Sequence, residues 1–128
     1  MITDITKGVK ISVQTEYQQE YSNPVQDHYV FTYQISIENL GDKTIQLLSR
    51  HWEIVDITYL RRAVDGEGVV GKQPILEPGQ KHEYVSGCNL KSGLGKMFGY
   101  YTMERLVDGK VFQAKIPEFE MIVPFKLN

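Results

Sequence analysis

The stretch Tyr29-Val-Phe-Thr-Tyr-Gln-Ile-Ser-Ile-Glu38 decides the fold class. Tyr29, Phe31, Tyr33, Ile35 and Ile37 fall on odd positions, while Thr32, Gln34, Ser36 and Glu38 fall on even ones. A side-chain period of two belongs to an extended chain with one buried and one wet face. Its aromatic and β-branched residues are those that fit a pleated surface. Upstream, Val9–Tyr17 alternates in the same way. Downstream, Asn39-Leu-Gly-Asp-Lys43 supplies turn chemistry: Gly41 tolerates positive φ, and Asn39 and Asp42 can bond their own backbone.

Further outward, a strand is expected near Thr44–Asp56. Its apolar parity shifts from Ile45 and Leu47 to Leu48, Trp52 and Ile54, which predicts a bulge or twist near Leu48. Ile57–Val64 reads as another strand, Asp65–Gly71 as a glycine-rich loop, and Pro78-Gly79 as a turn. Gln80–Cys88 reads as a short strand, Leu90–Lys96 as a loop and Met97–Val107 as a strand. Asp108-Gly109 between extended runs predicts a type I′ hairpin turn. The last strand is expected over Val111–Val123, with Pro117 marking a kink or an edge because it lacks a ladder donor. Met1–Lys7 and Lys126–Asn128 are expected to be ragged ends. No window of ten residues has helical apolar spacing free of glycine and proline. Seven to eight short strands predict an all-β, immunoglobulin/fibronectin type III-like antiparallel β-sandwich, with an eight-stranded barrel as the alternative. Trp52, in mid-strand, suits the core between two sheets. Without repeats or linkers, residues 1–128 read as one domain with its core over about 8–125.

Composition narrows the function. Apolar residues are 41% and charged residues 23%, a globular balance. Fourteen basic against sixteen acidic residues give a net charge of −2, so no basic excess is available for a nucleic-acid backbone. The longest apolar run is three residues, far below the ~20 of a membrane span. The start has no apolar block of signal-peptide length. Cys88 is the single cysteine, which excludes an intrachain disulfide and fits a reducing cytoplasm.

Catalytic groups do not cluster in the sequence. His28, His51 and His82 are far apart, no Gly-x-Ser-x-Gly elbow occurs, and Cys88 reads as a small core residue with nothing beside it to activate it. His51 and Glu53 share a strand face, yet two ligands are too few for a structural zinc site, so they read as a solvated polar face. No catalytic residue is assigned, and a non-enzymatic role is expected. The most specific local feature is Asp65-Gly-Glu-Gly-Val-Val-Gly71, in which Gly66, Gly68 and Gly71 match G-x-G-x-x-G. A dinucleotide fold needs a helix next, whereas Lys72-Gln-Pro-Ile-Leu-Glu-Pro78 holds two prolines. A smaller reading survives: the amides around Gly66, Gly68 and Gly71 form an anion nest, with Lys72, Arg61 and Arg62 adding positive charge. Asp65 and Glu67 would oppose it, unless Mg²⁺ or Co²⁺ bridged a phosphate to them. The competing reading is that the glycines serve the backbone of a tight loop.

Several blocks, in order, resemble the ApaG family over nearly the whole chain. They are Tyr29-Val-Phe-Thr-Tyr33, Ile37-Glu-Asn-Leu-Gly41, Gln46-Leu-Leu-Ser-Arg-His-Trp52, Asp65–Pro74, Pro78-Gly79, Tyr84-Val-Ser-Gly87, Gly95-Lys-Met-Phe-Gly-Tyr-Tyr101 and Phe119. Asp56–Val64 looks individual to this chain. The resemblance implies an immunoglobulin- or fibronectin-like sandwich. It also implies a link, by name, to cobalt and magnesium resistance or efflux, and a likeness to protein-binding modules of eukaryotic F-box proteins. Pyrophosphate binding is implied for Gly66, Gly68 and Gly71. An efflux label cannot make this chain the pore, because it has no hydrophobic span. Two functions are therefore expected in competition. One is a cytoplasmic, non-enzymatic protein-binding module with an indirect role in divalent-cation homeostasis. The other is phosphate, pyrophosphate or nucleotide binding at the glycine loop. An uncovered sheet edge would invite a second copy, so a homodimer is one expected assembly.

Overall fold

Alternation of apolar and polar side chains runs through the longer strands of the computed structural model, which describes residues 1–57 and 61–124. Among these residues are nine strands: β1 (Ile2–Thr6), β2 (Val9–Tyr17), β3 (Tyr29–Asn39), β4 (Ile45–Asp56), β5 (Arg62–Glu67), β6 (Ile75–Leu76), β7 (Lys81–Leu90), β8 (Leu94–Arg105) and β9 (Lys110–Ile122). They form two antiparallel sheets, ordered β1-β2-β3-β7 and β5-β4-β8-β9, with β6 also paired to β4. The sandwich expected from the sequence is the observed architecture.

The inward parities of the two sheets build the core. Ile11, Phe31, Ile35 and Ile37 from one layer meet Leu47, Met97, Met103 and Ile116 from the other, all at or below 1% exposure. Trp52, 2% exposed, wedges between the layers. Its ring lies edge-on to Phe119 at 5.9 Å and to Tyr33 at 5.4 Å between centroids.

Two bulges sit where the sequence points. On β4 the register passes from Leu47↔Met103 to Ser49↔Thr102, so Leu48 is the extra residue and the inward parity switches from Leu47 to Trp52. On β9 it passes from Phe119↔Met97 to Ile116↔Gly99, which places the extra residue at Pro117-Glu118. A proline in a bulge of an edge strand forfeits no ladder bond.

Other segments depart from expectation. Ile2–Thr6, read as a ragged end, is a strand paired with β2. Its Lys7-Gly8 corner has φ of 48° and 80°, the type I′ signature. At Asp108-Gly109, only Gly109 has positive φ, and four residues separate the pair Arg105↔Lys110. The reason is local: Arg105 Nη2 donates to Asp108 Oδ2 at 2.5 Å, its Nε donates to both carboxylate oxygens at 3.1 Å, and Asp108 also accepts from the Lys110 N–H at 3.1 Å. That ties the aspartate into a wider loop. The loop expected over Leu90–Lys96 shrinks to residues 91–93. The Asp56 carboxylate holds it by accepting from the Lys91 N–H at 2.6 Å and from the Ser92 hydroxyl. The strand expected over Ile57–Val64 begins later, at Arg62, and runs on through Asp65, Gly66 and Glu67. Thr58–Leu60, within that expectation, lie outside the described residues. Pro78-Gly79 is a turn as expected: Gln80 N–H donates to Glu77 C=O at 2.9 Å, with Gly79 at φ 86°.

The two flanks of the sandwich differ. On one, β1 lies against β9: Lys115 N–H donates to the Thr6 hydroxyl at 3.2 Å, and the Lys115 ammonium is 3.7 Å from Asp4. On the other, the edge strands β5 and β7 face each other across a gap bridged by the side chain of Arg62, which donates to the Asn89 carbonyl at 3.0 Å.

Candidate functional site

The open flank gathers the residues singled out in the sequence and adds one that was not. Arg50 on β4 pairs in register with Gly66 on β5. A Cβ at Gly66 would stand 2.7 Å from the Arg50 guanidinium, so the missing side chain is the space that the arginine fills. Arg50 Nη1 donates to the carbonyls of Glu67 at 3.0 Å and Gly68 at 2.9 Å, pinning the end of β5.

Gly68 has φ of 61°, and its N–H donates to the carbonyl of the bulge residue Leu48 at 2.9 Å. The same carbonyl accepts from Gln73 Nε2 at 2.9 Å. Val69 and Lys72 then exchange backbone bonds at 2.8 and 3.0 Å around Val70 and Gly71, with φ of 47° and 76°. This is a second type I′ turn, with a β-branched residue in a conformation such residues rarely adopt. The three glycines thus do three different jobs: clearance for a guanidinium, close backbone approach, and a turn corner. The amides of Gly68 and Lys72 are occupied by internal carbonyls, and antiparallel alternation from the Gly68–Leu48 bond directs the Gly66 N–H toward β4. An amide nest for an anion would have to compete with those bonds.

Beside this segment lies a cleft of about 220 Å³ between the layers, lined by Tyr33, Arg50, Trp52, Arg62, Ser86 and Cys88 among others. Burial pushes the Tyr33 hydroxyl and the Cys88 thiol up from their ordinary values. Arg62 Nη2, 3.7 Å from Cys88 Sγ, pulls the thiol the other way without overcoming burial, so Cys88 is an unactivated thiol with a cation beside it. Deeper in, the Tyr84 and Tyr101 hydroxyls bond each other, and burial raises both. Lys72 is close enough for its charge to add to burial in lowering His82 on β7.

On the outer face of the same strands a chain of charges runs Asp65–His51–Glu53–Arg61. His51 Nδ1 is 2.6 Å from Asp65, His51 Nε2 is 2.5 Å from Glu53, and Arg61 Nε donates to Glu53 at 2.8 Å. The imidazole stacks on Tyr100 at 5.0 Å. A carboxylate at each ring nitrogen requires a proton on both, so the charged form is favoured. The bond from Asp65 leads in raising His51, and Arg61 leads in lowering Glu53. Asp65, a weak metal candidate with Glu67, is thereby engaged with an imidazolium. Among the described residues no group of three or more His, Cys, Asp or Glu is arranged to hold a metal ion. Because the folded value is raised, this clamp between β4 and β5 contributes fully below the ordinary histidine value near 6.5 and is lost as pH rises through the raised value. The thermal midpoint of the protein should therefore fall on going from pH 6 to above the raised value, relative to His51→Gln. Parallel pH profiles of the two proteins would contradict the clamp.

Arg50 escaped the sequence reading although a signal was present. After the Leu48 bulge the even positions point inward, and Arg50 is a charge on the parity of Trp52 and Ile54. A charge on an inward parity needs partners.

Comparison with known proteins adds the family. The model of the ApaG domain matches residues 19–105. The curated Protein ApaG of Anaeromyxobacter dehalogenans is 44% identical over 128 residues, covering all of both chains. That of Parvibaculum lavamentivorans is 43% identical over 124 residues, covering 97% of this chain and 95% of the relative. Among solved structures, the putative ApaA protein from Bordetella pertussis superposes with a TM-score of 0.87 at 40% identity, covering 95% of each chain.

Proposed function

The chain belongs to the ApaG domain family, and from that starting point we propose that it is a non-enzymatic binding module that takes an extended protein segment along its open flank. The observation that carries this reading is the ten-residue edge strand β7 beside two guanidinium groups. Asn39 N–H donates to Gln80 C=O at 3.0 Å, and alternation along the β3–β7 ladder from that bond turns the N–H groups of Glu83, Val85, Gly87 and Asn89 outward. An added strand satisfies such groups with main-chain bonds and reads side chains in neighbouring pockets. Arg50 and Arg62 at the cleft favour an acidic side chain on the incoming segment. In this reading any link to cobalt or magnesium runs through the partner rather than through a metal held by the chain.

Val85 is 58% exposed. Val85→Pro removes one outward donor and leaves the β3 ladder bonds intact, so the melting point should stay within a few degrees of wild type. Proteins captured from native lysate by the wild-type chain and by a control with Glu120→Lys on β9 should be missing from the Val85→Pro capture. An unchanged capture set would place recognition elsewhere.

A further inference from the structure

A different cavity, of about 260 Å³, lies where two hairpin turns and the β3–β4 crossing between the sheets converge at one end of the sandwich. Lys7 comes from the β1–β2 turn, Lys43 from the β3–β4 turn, and Arg105 and Lys110 from the β8–β9 hairpin. The fold enforces the convergence. Leu40 N–H donates to Gly8 C=O at 2.7 Å, tying the first turn to the second, and Leu106 N–H donates to Thr44 C=O at 3.1 Å, tying the third to the second. Asn39 locks the second turn internally: its amide nitrogen donates to the Lys43 carbonyl at 2.8 Å, and its oxygen accepts from Gly41 N–H at 3.0 Å. Phe112, half-buried against the core, forms an apolar wall with the Lys7 ammonium 5.9 Å from its ring centroid.

Four cations against Asp42 in the lining and Asp108 on Arg105 leave a local excess of two positive charges, on a chain whose net charge is −2. Gathering like charges around one concavity is unfavourable unless an anion joins them. Ammonium and guanidinium groups contributed by three separate connections suit a tetrahedral oxyanion of charge near −2. We propose that this turn-end cavity is a binding site for a small phosphate-bearing molecule. It shares no lining residue with the open flank, so it stands or falls independently of the interaction surface above.

Tripolyphosphate and inorganic phosphate, titrated separately into the ¹⁵N-labelled full chain, test this by amide shifts. Saturable shifts at Gly8, Lys43 and Lys110 are expected, weakening as salt is raised because the contacts are ionic. Lys43→Glu with Lys110→Glu should lower the affinity roughly tenfold or more. Lys96→Gln, at an exposed cation outside the cavity lining, should leave it unchanged. Lys110→Gln, a milder change, should lower it by less and serves if the double variant does not fold. Shifts confined to residues 66–72, an affinity indifferent to the Lys110 change, or no saturation by about 10 mM of either probe would overturn the proposal.

Discussion

Gly68→Val should destabilise the protein by about 2–6 kcal/mol. A side chain there would put its Cβ 2.2 Å from the Lys72 carbonyl oxygen and 2.8 Å from its carbon, both rigid backbone atoms. Overpacking of this kind costs about 1–3 kcal/mol. The φ of 61°, hostile to a β-branched residue, adds about 1–3 kcal/mol. Gly71→Ala is the internal control: its φ is also positive, at 76°, but nothing stands within 4 Å of the added atom, so about 1–2 kcal/mol is expected. Urea midpoints at unchanged slope read both numbers. Equal losses at the two positions would mean that the approach of Lys72 to Gly68 relaxes freely. The same glycine variant also bears on anion binding at this loop, because the Gly68 amide already serves Leu48.

Trp52→Ala should cost a further class of contact, about 3–5 kcal/mol, by emptying the space between the layers. The ring meets Tyr33, Phe119 and Tyr101 with centroids 5.4, 5.9 and 6.5 Å away, so three aromatic neighbours from β3, β9 and β8 lose a partner together. Against a typical total of about 5–15 kcal/mol, that loss removes a large share of the stability and should lower the thermal midpoint by well over ten degrees. A thermal midpoint within a few degrees of wild type would show that the layers collapse onto the vacancy. Trp52 also floors the open cleft, so a surviving variant should lose the shape of that flank as well as stability.

The legible parts of the fold are those where one strand carries its own alternation. β2 and β3 announce themselves because one face is apolar along their length, and the parity break at Leu48 marks a bulge for the same reason. β1 does not, because it is mostly exposed and is ordered by its pairing with β2 and its seat on β9. β5 is hidden in a similar way. Arg-Ala-Val-Asp-Gly-Glu has little intrinsic β preference, and its strand exists through the ladder with β4. The Asp108-Gly109 turn shows a side chain overriding a dipeptide signal: once Arg105 holds Asp108, the tight corner gives way to a longer loop. Gly66, Gly68 and Gly71 stand out in the sequence as a set. Their individual duties depend on Arg50, Leu48 and Lys72, residues brought to them by pairing across strands and turns, which no local pattern encodes.

The two sides of the molecule are closed by different means: strand against strand at β1 and β9, and on the far side by Arg62, the Tyr84–Tyr101 hydroxyls and the short 91–93 link held by Asp56. A guest seated beside β7 therefore meets side chains and a short loop, which can rearrange singly, instead of a continuous ladder.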